Sequence, residues 1–287
     1  MSDLGKPAPG PRPTGQSDAV EIPHVVDVVG VDEMVVGADD DLAAIAVTAL
    51  GKTFRPPAGI RELLRGRLTR APVAALADIS FRVGRGEIVC VMGPNGAGKS
   101  TLLRILSGLL SPSMGQARVA GLDVESHGWD FRRRVAFVVG DERSFHWPLS
   151  GLHNLEFFGA LHGYTPREAG RRARQLLGRV GLAEVADRPF HTYSRGMRQR
   201  LALARGLLGA PDVILLDEPT LGLDPLGARD LRNFLRDEVI RGAGRTALVG
   251  TNDPGEAKSL GDRILLLDHG RLVCETVPGR LDAELGL

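Results

Sequence analysis

Cysteine is scarce: only Cys90 and Cys274 occur in 287 residues, too few for a disulfide framework. Each lies in an apolar run with strand character, Glu87–Met92 and Leu272–Glu275, where a buried thiol packs as a small hydrophobe. Two reduced, structural thiols are therefore expected, and with them a cytoplasmic setting. Long apolar runs are also lacking. The longest are short segments such as Val213–Leu216 and Ile264–Leu267, far from the roughly 18–20 residues needed to cross a bilayer. No charge of one sign dominates, because 36 Lys and Arg face 35 Asp and Glu for a formal charge of +1. Without a global positive field, no nucleic-acid partner is expected. The opening MSDLGKPAPGPRPTG has neither a basic start with an apolar stretch nor a small-residue cleavage site, so no secretory signal is predicted.

What is present fits one large α/β domain or two small ones, with 43% apolar and 25% charged residues and enough chain to bury a sizeable core. Residues 1–42 are rich in Pro, Gly and Asp, carry no helical or strand period, and read as a disordered extension. A docking role and no specific role are both open for it. From Ala43 onward strand-like runs alternate with helix-like ones: AAIAVTAL, GEIVCVMG, a helix from Lys99, RVAFVV, VILLD, TALVG and RILLLD. Such alternation predicts a largely parallel sheet with helices on its faces. Between Val139 and Val213 helix signals take over. They include the capping box Thr165-Pro166-Arg167-Glu168 and the helical spacing of Ala169, Ala173, Leu176, Leu177 and Val180.

Gly93-Pro94-Asn95-Gly96-Ala97-Gly98-Lys99-Ser100-Thr101 follows one of these strands and opens a helix, the context a phosphate loop requires. Its glycines let backbone N–H groups turn toward phosphate oxygens, and the helix N-terminus adds its positive end. Lys99 is placed to neutralise terminal phosphates and the Ser100 hydroxyl to ligate Mg²⁺. The apolar strand Val213–Leu216 ends in Asp217-Glu218, at the edge where ligands of open α/β sheets bind. Asp217 suits Mg²⁺, directly or through water, and Glu218 suits a base for in-line attack on a γ-phosphate.

Between these elements, Tyr193-Ser194-Arg195-Gly196-Met197-Arg198-Gln199-Arg200 followed by LALARGLL resembles the signature of ABC ATPases. The chain is similar to that family from about Ala43 to its end, most closely to subunits serving exporter permeases, and HNLEFFGALHG adds to the likeness. The resemblance implies a P-loop NTPase (RecA-like) fold: a parallel-sheet core, an antiparallel β portion and an inserted helical subdomain. It divides the chain into a nucleotide lobe of residues 43–139 and 209–287 and a helical signature lobe of residues 140–208. It implies ATP and Mg²⁺ as ligands, with Ser194 and Gly196 facing the γ-phosphate held by a second ATP-binding subunit in a head-to-tail dimer, homomeric or heteromeric. Phe54 matches the aromatic that stacks on adenine, and Gly222-Leu223-Asp224 the loop that touches the partner. An integral-membrane permease is the implied second partner, which places the chain peripherally on the inner face of the cell membrane. The closing RLVCETVPGRLDAELGL leaves no room for an added regulatory domain, which favours an exporter of a drug, lipid or polysaccharide.

Two positions depart from the family pattern. Gly140 stands where a glutamine usually contacts Mg²⁺ and the attacking water, with Asp141 or Glu142 as the alternative source of that contact. Asn252 stands in place of the switch histidine; its amide still donates a hydrogen bond but carries no imidazolium charge. A working but slow ATPase that uses Lys99, Glu218 and Asn252 is the expectation. The alternative is a hydrolysis-impaired regulatory subunit of a heterodimer. A cassette acting on nucleic acids or ribosomes would ordinarily need a second phosphate loop or a coiled coil, and neither a second loop nor heptads appear. The insert RPPAGIRELLRGRLTRAPVAAL sets Arg55, Arg61, Arg65, Arg67 and Arg70 against Glu62, with Ile60, Leu63, Leu64 and Leu68 as an apolar stripe. It suits either an anionic membrane surface or its own domain. Arg132-Arg133-Arg134 reads as a solvated helix face.

Overall fold

The computed structural model describes residues 43–55, 71–126, 128–140 and 144–286. The extension 1–42, most of the basic insert (Ile60 to Arg70) and the alternative carboxylates Asp141 and Glu142 lie outside the described residues.

Two sheets share the core. The first is antiparallel, in the order β2 (Val73–Gly84), β1 (Ala43–Phe54), β4 (Met114–Val119), β5 (Leu122–Asp123). The second has six strands in the order β10 (Arg271–Thr276), β9 (Arg263–Asp268), β3 (Ile88–Met92), β8 (Thr246–Thr251), β7 (Val213–Asp217), β6 (Val135–Val139). It is parallel throughout except for the edge pair β9 and β10. Its central strands are apolar on both faces because both faces are covered, so they read as unbroken hydrophobic runs. Alternation still decides which core each side chain enters. Val89, Val91, Leu215, Leu248 and Leu265 point toward the antiparallel sheet and α1 (Lys99–Leu106). Ile88, Cys90, Ile214, Leu216 and Val249 point the other way, into a core shared with the helices.

After β6 come α3 (Gly151–Leu161), α4 (Pro166–Arg179) and α5 (Arg195–Gly206), and no strand intervenes among the described residues before β7. Thr165 caps α4: its hydroxyl accepts from the Glu168 N–H while Glu168 returns a bond to the Thr165 backbone. Ala169, Ala173, Leu176, Leu177 and Val180 are all buried, as their spacing predicts. Beyond β7 lie α6 (Pro225–Phe234) and, after β8, α7 (Pro254–Leu260); α2 (Trp129–Arg134) precedes β6, and α8 (Leu281–Leu285) follows β10.

Three readings need correction. Val73–Leu76, taken as the end of the insert, begin β2, whose pairing with β1 outweighs the arginine-rich run before it. RVAFVV is shorter as a strand, because Arg134 ends α2 and turns its guanidinium to Asp212 at 2.7 Å. Both thiols are free, but only Cys90 is fully buried; Cys274 lies on β10, the edge strand of its sheet among the described residues, and is half-buried. Burial pushes its thiol pKa up to about 11. None of the helices among the described residues is long and apolar enough to cross a membrane.

Candidate functional site

The loop Gly93–Gly98 leaves β3 at its carboxyl end and feeds straight into α1, whose N-cap, Gly98, adopts φ +110° and offers no capping side chain. A β-carbon on Gly98 would meet Ala75 O at 2.7 Å, and one on Gly93 would meet Leu267 O at 2.0 Å. Both glycines are thus demanded by close backbone approach to β2 and β9, not by the loop alone. Lys99, the first residue of α1, is 5% exposed, and its ammonium donates to Gly93 O at 2.6 Å and Pro94 O at 3.1 Å. Burial lowers its pKa, opposed by the nearby carboxylates Glu218 and Asp217. Asn95, Gly96, Ala97 and Thr101 complete the loop and the first turn of α1; the Ala97 carbonyl accepts from Gly270 N–H at 2.9 Å, which ties the loop to the β9–β10 turn.

Strand β7 delivers the two carboxylates to the same place. Ser100 Oγ donates to Asp217 Oδ1 at 3.1 Å. A hydroxyl and one carboxylate fit the modest protein share of a Mg²⁺ shell, which is completed by phosphate oxygens and water. Among the described residues no group of three or more His, Cys, Asp or Glu could hold a metal ion. Glu218 adopts φ +50°, a strained value for a residue with a side chain, held by its N–H bond to Gly250 O at 2.8 Å. That turn aims its carboxylate back across the site, with Oε1 3.9 Å from Lys99 Nζ. Burial raises its pKa; Lys99 opposes this, while Asp217, Glu256 and Asp253 add to it. A carboxylate with raised proton affinity beside a buried ammonium can take a proton from a water that a phosphoryl group faces.

Asn252 follows β8, and its Nδ2 donates to Asn95 Oδ1 at 3.4 Å, so the switch position touches the phosphate loop directly. Phe54 ends β1 with its ring 40% exposed and the Lys52 ammonium 5.4 Å from the ring centroid. One ring face thus already holds a cation. At the end of β6, Gly140 meets the signature helix: a β-carbon there would lie 3.0 Å from Gln199 Oε1. The space of a side chain at 140 is therefore taken by an amide from α5.

The signature residues form a separate surface. Tyr193 is buried and donates its hydroxyl to Val185 O at 2.7 Å. Ser194 caps α5 by accepting from Met197 N–H at 3.3 Å, which leaves its hydroxyl proton available to a ligand. Ser194, Gly196, Gly222, Leu223 and Asp224 line a groove of about 320 Å³. Arg195 packs its guanidinium over Gly222. The structure thus unites Lys99, Ser100, Asp217, Glu218 and Asn252 around the phosphate loop, and leaves Ser194 and Gly196 in this second groove.

Motif reading overlooked Glu256, whose carboxyl accepts from Thr220 Oγ1 at 2.7 Å. Burial raises its pKa and the Thr251 and Thr220 hydroxyls oppose the rise. The available signal was its place four residues before the apolar Leu260 and next to Ala257, on the inward face of α7.

A family model for the ABC transporter family matches residues 76–221. The chain is 43% identical over 212 residues to the daunorubicin resistance ATP-binding protein DrrA3 of Streptomyces coeruleorubidus, covering 74% of this chain and 66% of that protein. It is 33% identical over 201 residues to the ABC transporter ATP-binding protein NatA of Bacillus subtilis, covering 70% and 81%. The dimeric post-hydrolysis structure of the ATP-binding cassette MJ0796, bound to ADP and Pi, aligns at TM-score 0.69 and 26% identity over 82% of this chain and 98% of that one. The chain spans 63–66% of the length of the daunorubicin and doxorubicin resistance relatives. With the phosphate loop, the acidic strand end and the signature helix placed as described, the chain belongs to the ABC transporter ATP-binding family.

Proposed function

We propose that this chain binds Mg²⁺-ATP, hydrolyses it to ADP and phosphate, and so energises a separate membrane permease that exports a drug, lipid or polysaccharide. The observation that carries this reading is the meeting of Lys99, Ser100, Asp217 and Glu218 at the carboxyl ends of β3 and β7. Ser100 and Asp217 would hold Mg²⁺, which would supply positive charge against the phosphate oxygens. Lys99 exchanges the carbonyls of its own loop for the terminal phosphates and bears the charge that develops on the transferring phosphoryl group. Glu218 orients the attacking water and accepts its proton. Phe54 presents its free ring face to adenine.

The reading continues with two such subunits meeting head to tail, so that Ser194 and Gly196 of each close on the γ-phosphate held by the other. Hydrolysis reopens the pair, and the helical lobe of residues 140–208 passes the movement from the nucleotide lobe, residues 43–139 and 209–287, to the permease on the inner face of the membrane. The drug-resistance names of the relatives support export.

A second reading, a subunit that binds ATP but barely turns it over beside an active partner, draws on Asn252: the switch position bonds Asn95 through a neutral amide. Steady-state ATP hydrolysis of the native chain, Glu218→Gln and Asn252→His decides between them. Turnover that disappears in Glu218→Gln supports the motor reading. A silent native chain rescued by Asn252→His supports the second, and silence in all three, with nucleotide still bound, contradicts the motor reading for this chain alone.

A further inference from the structure

The loops after β7 and β8 are joined beneath the surface by a carboxylate that hydrolysis does not use. Glu256 is 1% exposed, and Thr220 and Thr251 are buried with it. Thr220 Oγ1 donates to Glu256 Oε1 at 2.7 Å, and the Thr251 hydroxyl favours the charged form of the same carboxyl. Thr251 Oγ1 accepts the Asp253 N–H at 3.0 Å, which ties the end of β8 to the N-cap of α7. On one side this cluster continues along the chain to Asn252, whose Nδ2 donates a 3.4 Å hydrogen bond to Asn95 Oδ1 of the phosphate loop. On the other it continues to Thr220, whose carbonyl accepts from Leu223 N–H at 3.1 Å and so shapes the exposed loop Thr220–Asp224. Asp253, 3.9 Å from Arg232 of α6, braces the switch segment from outside.

A carboxyl buried at this depth costs free energy unless its oxygens are bonded; Thr220, in the loop after β7, supplies one such bond, and Thr251, at the end of β8, favours the charged form. A purely structural role would be served by partners on any elements. Here both threonines lie close to Glu218 along the backbone, Thr220 two residues after it in the chain and Thr251 on the neighbouring strand, whose Gly250 carbonyl holds the Glu218 N–H. We propose that Glu256 is a positioning residue that couples the nucleotide contact at Asn252 to the loop Thr220–Asp224, so that nucleotide bound at the phosphate loop is felt at the surface that meets a second subunit. The proposal rests on the reading of the phosphate loop as an ATP site.

Coupling through packed groups requires more than adjacency, so the test measures coupling itself. Hydrogen exchange of residues 220–224 in the full chain is compared without nucleotide and with Mg²⁺ plus a non-hydrolysable ATP analogue, for the native protein, Thr220→Val, Glu256→Met and Glu256→Gln. Thr220→Val removes one hydroxyl at constant shape and carries the test if Glu256→Met fails to fold. Nucleotide is expected to slow exchange in the native protein and in Glu256→Gln, which keeps an oxygen to accept from Thr220, and to leave it unchanged in Thr220→Val and Glu256→Met. ATP hydrolysis by those two should fall about tenfold while nucleotide affinity stays within about threefold of native. Unaltered protection in Thr220→Val, or affinity and turnover falling together, overturns the proposal. A native chain that hydrolyses ATP but shows no protection at 220–224 overturns the coupling and spares the hydrolysis. One that shows the protection without hydrolysis sinks the motor reading and spares the coupling.

Discussion

The phosphate loop and the signature segment both open a helix, yet they are built on opposite plans. Gly93 and Gly98 press their backbones against β9 and β2, and Lys99 is buried with its ammonium bonded to two carbonyls of the loop. The signature residues Ser194 and Gly196 border an open groove, where an added β-carbon on Gly196 would meet only Leu223, at 3.9 Å. The first is held in place by contacts within its own chain. The second is a capping hydroxyl and a helix N-terminus on an open groove.

Breaking the closed side should cost most. Lys99→Ala removes the only cation bonded within the phosphate loop among the described residues, and ATP hydrolysis should fall at least about 10²-fold. Nucleotide titration followed by single-turnover assay reads this, and undiminished turnover would remove Lys99 from the mechanism. Gly93→Ala comes next, because its new β-carbon would sit 2.0 Å from Leu267 O. The backbone must move, at about 1–3 kcal/mol of folding stability, measured as a lower urea midpoint with an unchanged slope. The open side should be softer. Ser194→Ala deletes the cap of α5 at about 1 kcal/mol and leaves the affinity of a single chain for nucleotide unchanged. Calorimetric titration at low protein concentration checks the second half of that statement, and a loss of affinity would place Ser194 in its own chain's site.

The same contrast explains what could be read from sequence. Lys99, Ser100 and the acidic pair of β7 were legible because each motif is contiguous and its flanking strand declares itself as an apolar run. The parallel core and the capped helix α4 followed from period and caps. β2 was blurred at its start, since VAAL next to an arginine-rich run gives no strand signal until β1 pairs with it. The filling of the space at Gly140 by Gln199 and the burial of Glu256 between two loops join residues 59 and 36 positions apart, Gly140 with Gln199 and Thr220 with Glu256, and only packing reveals them. Strain at Glu218 was equally silent, because a positive φ at a glutamate leaves no trace in residue type.

Mixing two crippled chains tests the central claim most directly. Lys99→Ala lacks the closed half, and Gly196→Asp spoils the open half with a carboxylate that the fold has room for. Each alone should be silent. If the signature of one chain completes the phosphate site of another, an equimolar mixture contains mixed dimers with one intact composite site each, and ATP hydrolysis should return to about a quarter of the native rate. A mixture as silent as its components, with both variants folded and Gly196→Asp still binding nucleotide, would contradict the account.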